Sequence, residues 1–455
     1  MLSQASLRRA VAVALISGVA VSCTFSGERA VLSHEVVLPL PSGFVNASNV
    51  AEKLQRGYVP EVIDFLTGPS ARSVEAGKAA RLLAQAQLES GNFTAAETLA
   101  GRILAQPLRL EERAEVEWIR SQAAYWRGDF VAAARFATES RRAGRGVPEG
   151  WITFLKSGDG RSLYGGPGAA ERTAASFRFG RPNLVRLSIR VNGAAAAVIL
   201  DSGASLSLLT ESAAARLGVE SVEGAVAPAR GLHQKEIPMR FGWARTLSLG
   251  TSTLRDVPFG ILPDDSLSFE TEALGLFSPD GVLGVHLMKE FDWRIEFRGR
   301  RLQAIRLDPR TRRGSPEQNV FFRRLKPMVR ASFNRIPWSF FLLDTGSEPT
   351  MVTPEGLVAN QYTGYQPSAP VTLEGIGKTE VSWSKVSNVT LGIDRHAVWF
   401  EDLVVNEGAD AIGDGIIGTS FLSFFDVELQ FSKMTLSLQR PGERRNSSPP
   451  DFDPS

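Results

Sequence analysis

Two aspartates stand in the same local setting. In "VILDSGASLSLLT" (198–210) the apolar run Val198, Ile199, Leu200 ends in Asp201, Ser202, Gly203, and in "FFLLDTGSEPTMVT" (340–353) Phe341, Leu342, Leu343 lead into Asp344, Thr345, Gly346. Such a run reads as a buried strand, and a carboxylate at its end has to be hydrogen-bonded, paired or neutral. One copy alone is an ordinary turn sequence. Two copies admit chemistry, because carboxylates within hydrogen-bond reach cannot both ionise readily and so share a proton, titrating as a unit. One can then take a proton from water while the other donates to an oxygen on which charge is growing. That chemistry calls for no metal, cofactor or covalent intermediate.

The copies agree well beyond the triplets. From Asp201 it is 30 residues to Gly231 in "RGLHQKE", and from Asp344 it is 31 to Gly375 in "EGIGKTE". From Asp201 it is 49 to Gly250, and from Asp344 it is 48 to Gly392. Further on, "VLGVHLMKEFDWRIEFRGRRL" aligns without gaps to "IIGTSFLSFFDVELQFSKMTL", pairing Gly284 with Gly418, Phe291 with Phe425 and Asp292 with Asp426. The chain therefore contains an internal duplication. Short β-branched and aromatic runs separated by Gly and Asn turns make the whole region mainly β. Its halves are 174–306 and 320–440, joined by a linker at 307–319. Asp292 and Asp426 precede the last strand of each half and are expected at turns or caps.

This combination resembles the aspartic peptidase fold: apolar-apolar-Asp-Ser/Thr-Gly, a glycine-bearing hairpin about thirty residues on, then apolar-apolar-Gly before a helix and strand. Two lobes in one chain are similar to pepsins, and lobes this compact resemble the retropepsin-like bacterial aspartyl proteases. The resemblance implies an endopeptidase in which Asp201 and Asp344 form the catalytic dyad, acting on a peptide or protein substrate without a cofactor. It makes Ser202, Gly203, Thr345 and Gly346 supports of the two active-site loops, since hydroxyls can cross-link them and glycines allow close backbone approach. Gly231 and Gly375 would lie in the flaps, while Gly284 and Gly418 would pack beneath the loops. Two departures stand out. The first hairpin, "ARGLHQKEIPMRFGW", has no tyrosine, and Glu348 with Pro349 comes closely after Asp344, near enough for a charge to act on the shared proton.

The front of the chain has another texture. Residues 48–145 are rich in Ala, Leu, Glu and Arg with helical periodicity, and Gly57, Gly91 and Gly128 recur 34 and 37 residues apart in similar turn signals. The period resembles tetratricopeptide repeats. Such a helical repeat either binds a protein partner or supports the β region behind it, and stacking alone accounts for the pattern. The fold class expected is thus multidomain, an α-helical repeat region ahead of a mainly-β bilobal protease, with 146–173 as a linker and 441–455 as a disordered tail.

At the N-terminus, Arg8 and Arg9 precede the apolar run "AVAVALISGVAV" and then small residues before Cys23, the layout of a secretory signal over 1–23. "AVSC" resembles a bacterial lipoprotein lipobox, so Cys23 is the candidate lipidation site and the expected location is the cell envelope, membrane-anchored and facing the periplasm or exterior. With Cys23 the only cysteine, no internal disulfide can form. The formal net charge of +2 gives no case for a nucleic-acid partner. His34, His233, His286 and His396 are scattered, without zinc-ligand or triad spacing. The mature chain is expected to be a monomer. Two other readings fit the same residues: a non-catalytic peptide-binding protein that keeps the fold, and lobes that pair with a partner chain instead of each other.

Overall fold

A computed structural model describes residues 30–33 and 43–443, apart from 167–170, 181–182, 231–235, 268, 272–274, 309–312, 316, 335, 360–361, 363–365, 374–378 and 407–412. Cys23 with its signal segment, Gly231, Gly375 and residues 444–455 of the expected tail lie outside the described residues.

Each half of the duplication closes the same ring of strands. In lobe 1 the order is Glu236–Leu249, Ser252–Leu262, Leu208–Thr210, Gly281–Leu283, Ala194–Leu200 and Arg186–Val191, which pairs back with Glu236–Leu249. In lobe 2 it is His396–Val405, Met351–Val352, Gly415–Ile417, Ile336–Leu343, Lys326–Phe333 and Thr379–Ile393, which pairs back with His396–Val405. The apolar runs occupy the ring interiors, in parallel pairs: Val198, Ile199 and Leu200 lie beside Gly281, Val282 and Leu283, as Phe341, Leu342 and Leu343 lie beside Gly415, Ile416 and Ile417. Parallel strands buried on both faces need continuous apolar sequence, as these have. Each run hands its aspartate to the end of the strand, where the Asp201 amide donates to Leu283 O and the Asp344 amide to Ile417 O, both at 3.0 Å.

The lobes are joined by their own repeated strands. Phe291–Glu296 and Asp426–Gln430 pair antiparallel, with Trp293 opposite Leu429, Arg294 opposite Glu428 and Ile295 opposite Val427. The gapless alignment also equates Arg294 with Glu428, so the pseudo-twofold axis of the duplication passes between these two, and their side chains form an ion pair at 3.6 Å. Asp292 therefore lies within a strand and Asp426 opens one, so neither sits at a turn itself, though Asp292 plays the expected capping part for the turn at Ser432. Alternation decides this, since Phe291, Trp293 and Ile295 are all buried while the residues between them are only partly so. Asp292 accepts the Ser432 amide at 2.9 Å, tying the end of lobe 2 to lobe 1.

The front forms helices α1 (Val50–Gln55), α2 (Val59–Thr67), α3 (Ala76–Glu89), α4 (Phe93–Leu104), α5 (Leu110–Trp126), α6 (Phe130–Arg142) and α7 (Glu149–Lys156). The recurrent glycines turn three successive hairpins, with φ of 89° at Gly57, 83° at Gly91 and 81° at Gly128. That left-handed conformation ends a helix at little cost only in glycine. Buried alanines, among them Ala96, Ala100, Ala123 and Ala133, let the helices approach closely.

These helices are not a detached module. Tyr58, just before α2, meets Phe340 of lobe 2 edge-on at 5.1 Å. Trp126 of α5 lies 4.5 Å from Phe322 of lobe 2, while its neighbour Tyr125 lies 4.2 Å from His286 of lobe 1. The segment 146–173, expected as a linker, carries α7 instead. Its glycine-rich end hid the apolar "WITFL" ahead of it, whose Trp151, Ile152, Phe154 and Leu155 are buried. Phe154 stacks on Phe241 at 4.5 Å, and Trp243 Nε1 donates to Ser157 Oγ at 2.9 Å. One further strand, Ala30–Ser33, caps the edge of lobe 2 by pairing antiparallel with His396–Val405. Among the described residues no helix is long and apolar enough to cross a membrane.

Because α7 and lobe 1 share one core, Phe154→Ala should destabilise the protein by about 3–5 kcal/mol. Urea unfolding monitored by far-ultraviolet circular dichroism and by tryptophan fluorescence should then show a single transition, shifted equally in both signals. Separate helical and β transitions would contradict the shared core.

Candidate active site

The two aspartate loops are tied to each other by a reciprocal set of hydrogen bonds. Ser202 Oγ donates to Leu343 O at 2.7 Å and accepts the Thr345 amide at 3.0 Å. Thr345 Oγ1 donates to Leu200 O at 2.7 Å and accepts the Ser202 amide at 3.0 Å. Each hydroxyl thus uses its one donor and an acceptor lone pair across the lobe boundary, in a buried place where any unpaired group would be costly.

This exchange brings Asp201 and Asp344 together. Both are buried, and their carboxyl groups are hydrogen-bonded to each other. Asp201 Oδ1 accepts the Gly203 amide at 2.9 Å and the Ala204 amide at 3.0 Å. Asp344 Oδ1 accepts the Gly346 amide at 3.0 Å. Gly203 has to be glycine for a further reason: a Cβ there would stand 2.3 Å from Asp344 Oδ2. Gly284 and Gly418 lie behind the loops with equally little room, a Cβ meeting Leu206 C at 2.4 Å in one lobe and Pro349 O at 2.3 Å in the other. They do more than pack. The Gly284 amide donates to Ser207 Oγ and the Gly418 amide to Thr350 Oγ1, each at 3.1 Å. The next amides, Val285 and Thr419, donate to Ala204 O and Ser347 O, each at 2.8 Å.

Burial raises the Asp344 carboxyl above the usual carboxylate range, against the opposing pull of Lys326, the Gly346 and Ser347 amides and the Asp201 hydrogen bond. The charge acting on it is Lys326, buried at the start of Lys326–Phe333, a residue that sequence reasoning missed. A signal for it did exist: Lys326 stands 18 residues before Asp344, where lobe 1 has Asn183, 18 residues before Asp201. Glu348, expected to act on the shared proton, is turned to another task and accepts Asn183 Nδ2 across the lobes at 2.7 Å. The flap glycines lie outside the described residues, but the strands flanking them pair as hairpins: Glu220–Arg230 with Glu236–Leu249, and Gln366–Leu373 with Thr379–Ile393. Among the described residues there is no group of three or more His, Cys, Asp or Glu that could hold a metal ion.

Residues 187–287, most of lobe 1 including the Asp201 loop and the Gly284 segment, match the family model described as Aspartyl protease. Among solved structures, a retropepsin-like aspartic protease from Rickettsia conorii aligns at 15% identity over 30% of this chain and 94% of its own, with a TM-score of 0.21. An aspartic proteinase from Irpex lacteus aligns at 11% identity over 60% of this chain and 98% of its own, with a TM-score of 0.33. Superpositions this loose carry no weight beside the family match and the strand order. No curated protein matches the chain. With lobe 1 matched directly and lobe 2 repeating its ring of strands and its aspartate loop, the chain has the bilobal aspartic-protease fold, and the family match over lobe 1 supports a peptide hydrolase.

Proposed function

We propose that the protein is an exported aspartic endopeptidase in which Asp201 and Asp344 activate water against a peptide carbonyl. The observation that carries this reading is the reciprocal Ser202–Thr345 exchange, which holds two buried carboxyls against each other, where they can share one proton. The ionised carboxylate takes a proton from a bound water as its oxygen attacks the carbonyl carbon. The protonated partner donates to the carbonyl oxygen and stabilises the charge that develops there. Collapse of the tetrahedral intermediate breaks the C–N bond, the amine leaves with a proton from the dyad, and the pair returns to one shared proton. Backbone amides of Gly203, Ala204 and Gly346 hold the carboxylates in place throughout.

The finer parts of the proposal rest on sequence. Arg8, Arg9, the apolar run and Cys23 support export and a lipid anchor in the cell envelope. The helical hairpins, with their 34- and 37-residue spacing, support a tetratricopeptide-like layer. Their contacts with both lobes favour an internal support over a surface kept for a partner protein.

Cleavage of a diverse peptide library should be lost by ~10²–10⁴-fold or more in both Asp201→Asn and Asp344→Asn, with the fold retained. Unchanged cleavage in either variant would overturn the dyad, and a folded wild type that binds peptides without cutting them would favour the binding-protein reading. A second expectation concerns stability. Because Asp344 has a raised folded-state pKa, its contribution is fully present below its unfolded pKa of about 4 and is lost as pH rises through the folded value. Asp344→Asn, which cannot ionise, should therefore gain in melting temperature on the wild type between pH 4 and pH 7. A difference that stays flat across that range would contradict the buried, proton-retaining carboxyl.

A further inference from the structure

We infer that His286 is a positioning residue through which the helical layer holds the Asp201 loop, an inference that rests on the dyad reading of the site. His286 is fully buried, and both of its ring nitrogens meet groups outside the dyad. Its backbone belongs to the catalytic lobe, the amide donating to Ser205 O at 3.3 Å beside the Val285 to Ala204 bond. The first turn of Val285–Met288 is thereby stitched to the loop that begins at Asp201. Its side chain faces the other way. Nε2 lies 3.1 Å from Tyr125 O in the last turn of α5, and Nδ1 lies 2.9 Å from the Tyr164 hydroxyl.

These partners define the tautomer. A carbonyl oxygen only accepts, so Nε2 carries the hydrogen and Nδ1 accepts from Tyr164. Tyr125 O is one of the carbonyls a helix leaves exposed at its C-terminal end, and it takes the Gly128 amide as well as the imidazole. Burial, with Lys289 beside it, holds the imidazole well below its usual range, so the neutral ring is kept at the mildly acid pH where a carboxyl pair retains its proton. Tyr125, Trp126 and Phe130 surround the ring with centroids at 4.2, 5.6 and 6.0 Å.

The duplication supplies an internal control. The gapless alignment equates His286 with Ser420. The backbones do the same work, since the Ser420 amide donates to Glu348 O at 2.9 Å. The side chains do not. Ser420 Oγ turns back into its own loop, accepting the Thr350 amide at 2.9 Å and lying 3.0 Å from Thr350 Oγ1. Lobe 2 thus secures its aspartate loop from within, whereas lobe 1 spends the equivalent side chain on the helices.

The test uses the full mature chain with His286→Phe, His286→Gln and Tyr164→Phe, each first shown to fold. His286→Phe should lower kcat about tenfold or more with KM within about twofold, since small displacements of a catalytic group cost rate more than binding. His286→Gln, which can donate and accept, should restore most of that loss, and Tyr164→Phe should fall between. A readout independent of activity is amide hydrogen exchange: in His286→Phe the Gly203 and Ala204 amides should exchange about tenfold faster while Gly346 stays as in the wild type. Wild-type kcat, or equal acceleration at both loops, would overturn the inference. If His286→Phe does not fold, Tyr164→Phe decides: unchanged kcat together with unchanged Gly203 exchange would overturn it. Failure of the dyad reading leaves a different trace, because the exchange pattern would persist in a chain that cuts nothing.

Discussion

Everything in the two lobes serves one interaction, the exchange of hydrogen bonds between Ser202 and Thr345 across the pseudo-twofold axis. A hydroxyl can donate once, and each donates to the carbonyl just before the other lobe's aspartate. The geometry closes only if both loops arrive at the same height and in opposite directions. That requirement explains the parallel interior strands, which deliver Asp201 and Asp344 at equivalent ends, and the antiparallel pairing about Arg294 and Glu428, which keeps the halves in register. It also explains why bulk is excluded at Gly203, where a side chain would occupy the place of the Asp344 carboxyl.

Around this centre the symmetry is broken in ways that assign different tasks to the two lobes. Lys326 lies in the field of Asp344 where lobe 1 has Asn183, and Asn183 instead binds Glu348. His286 reaches outward to α5 where Ser420 reaches inward to Thr350. The helical layer packs on both lobes, meeting Phe340 and Phe322 of one and Phe241 and His286 of the other. A single aromatic layer touching both barrels resists their relative motion, so the helices are a structural part of the site's support.

How much was legible in the sequence depended on the range of the interactions. The aspartate loops, the duplication and the mainly-β lobes were legible because each depends on residues close together in the chain, repeated at matching distances. The glycines of the helical hairpins were legible for the same reason, each serving a local turn. The Tyr125–His286–Tyr164 contact and the strand Ala30–Ser33 were not, because they acquire meaning only against partners far away in sequence. The segment 146–173 misled through its glycines, and Asp292 and Asp426 misled as to place, an acid near a lobe end suggesting a turn, although Asp292 does cap one at Ser432. Both are governed by the burial of their apolar neighbours, Trp151 and Phe154 in the first case, Phe291 and Trp293 in the second.

The central claim is that two lobes make one carboxyl pair holding one proton. Neutron diffraction from deuterium-exchanged crystals of the protein at mildly acid pH reads this directly. The account predicts the Asp201 and Asp344 carboxyls within hydrogen-bond distance with a single deuterium between them, and deuterons on Ser202 Oγ and Thr345 Oγ1 aimed at Leu343 O and Leu200 O. Carboxyls standing apart, each with its own proton state and with hydroxyls bonded within their own lobe, would contradict it.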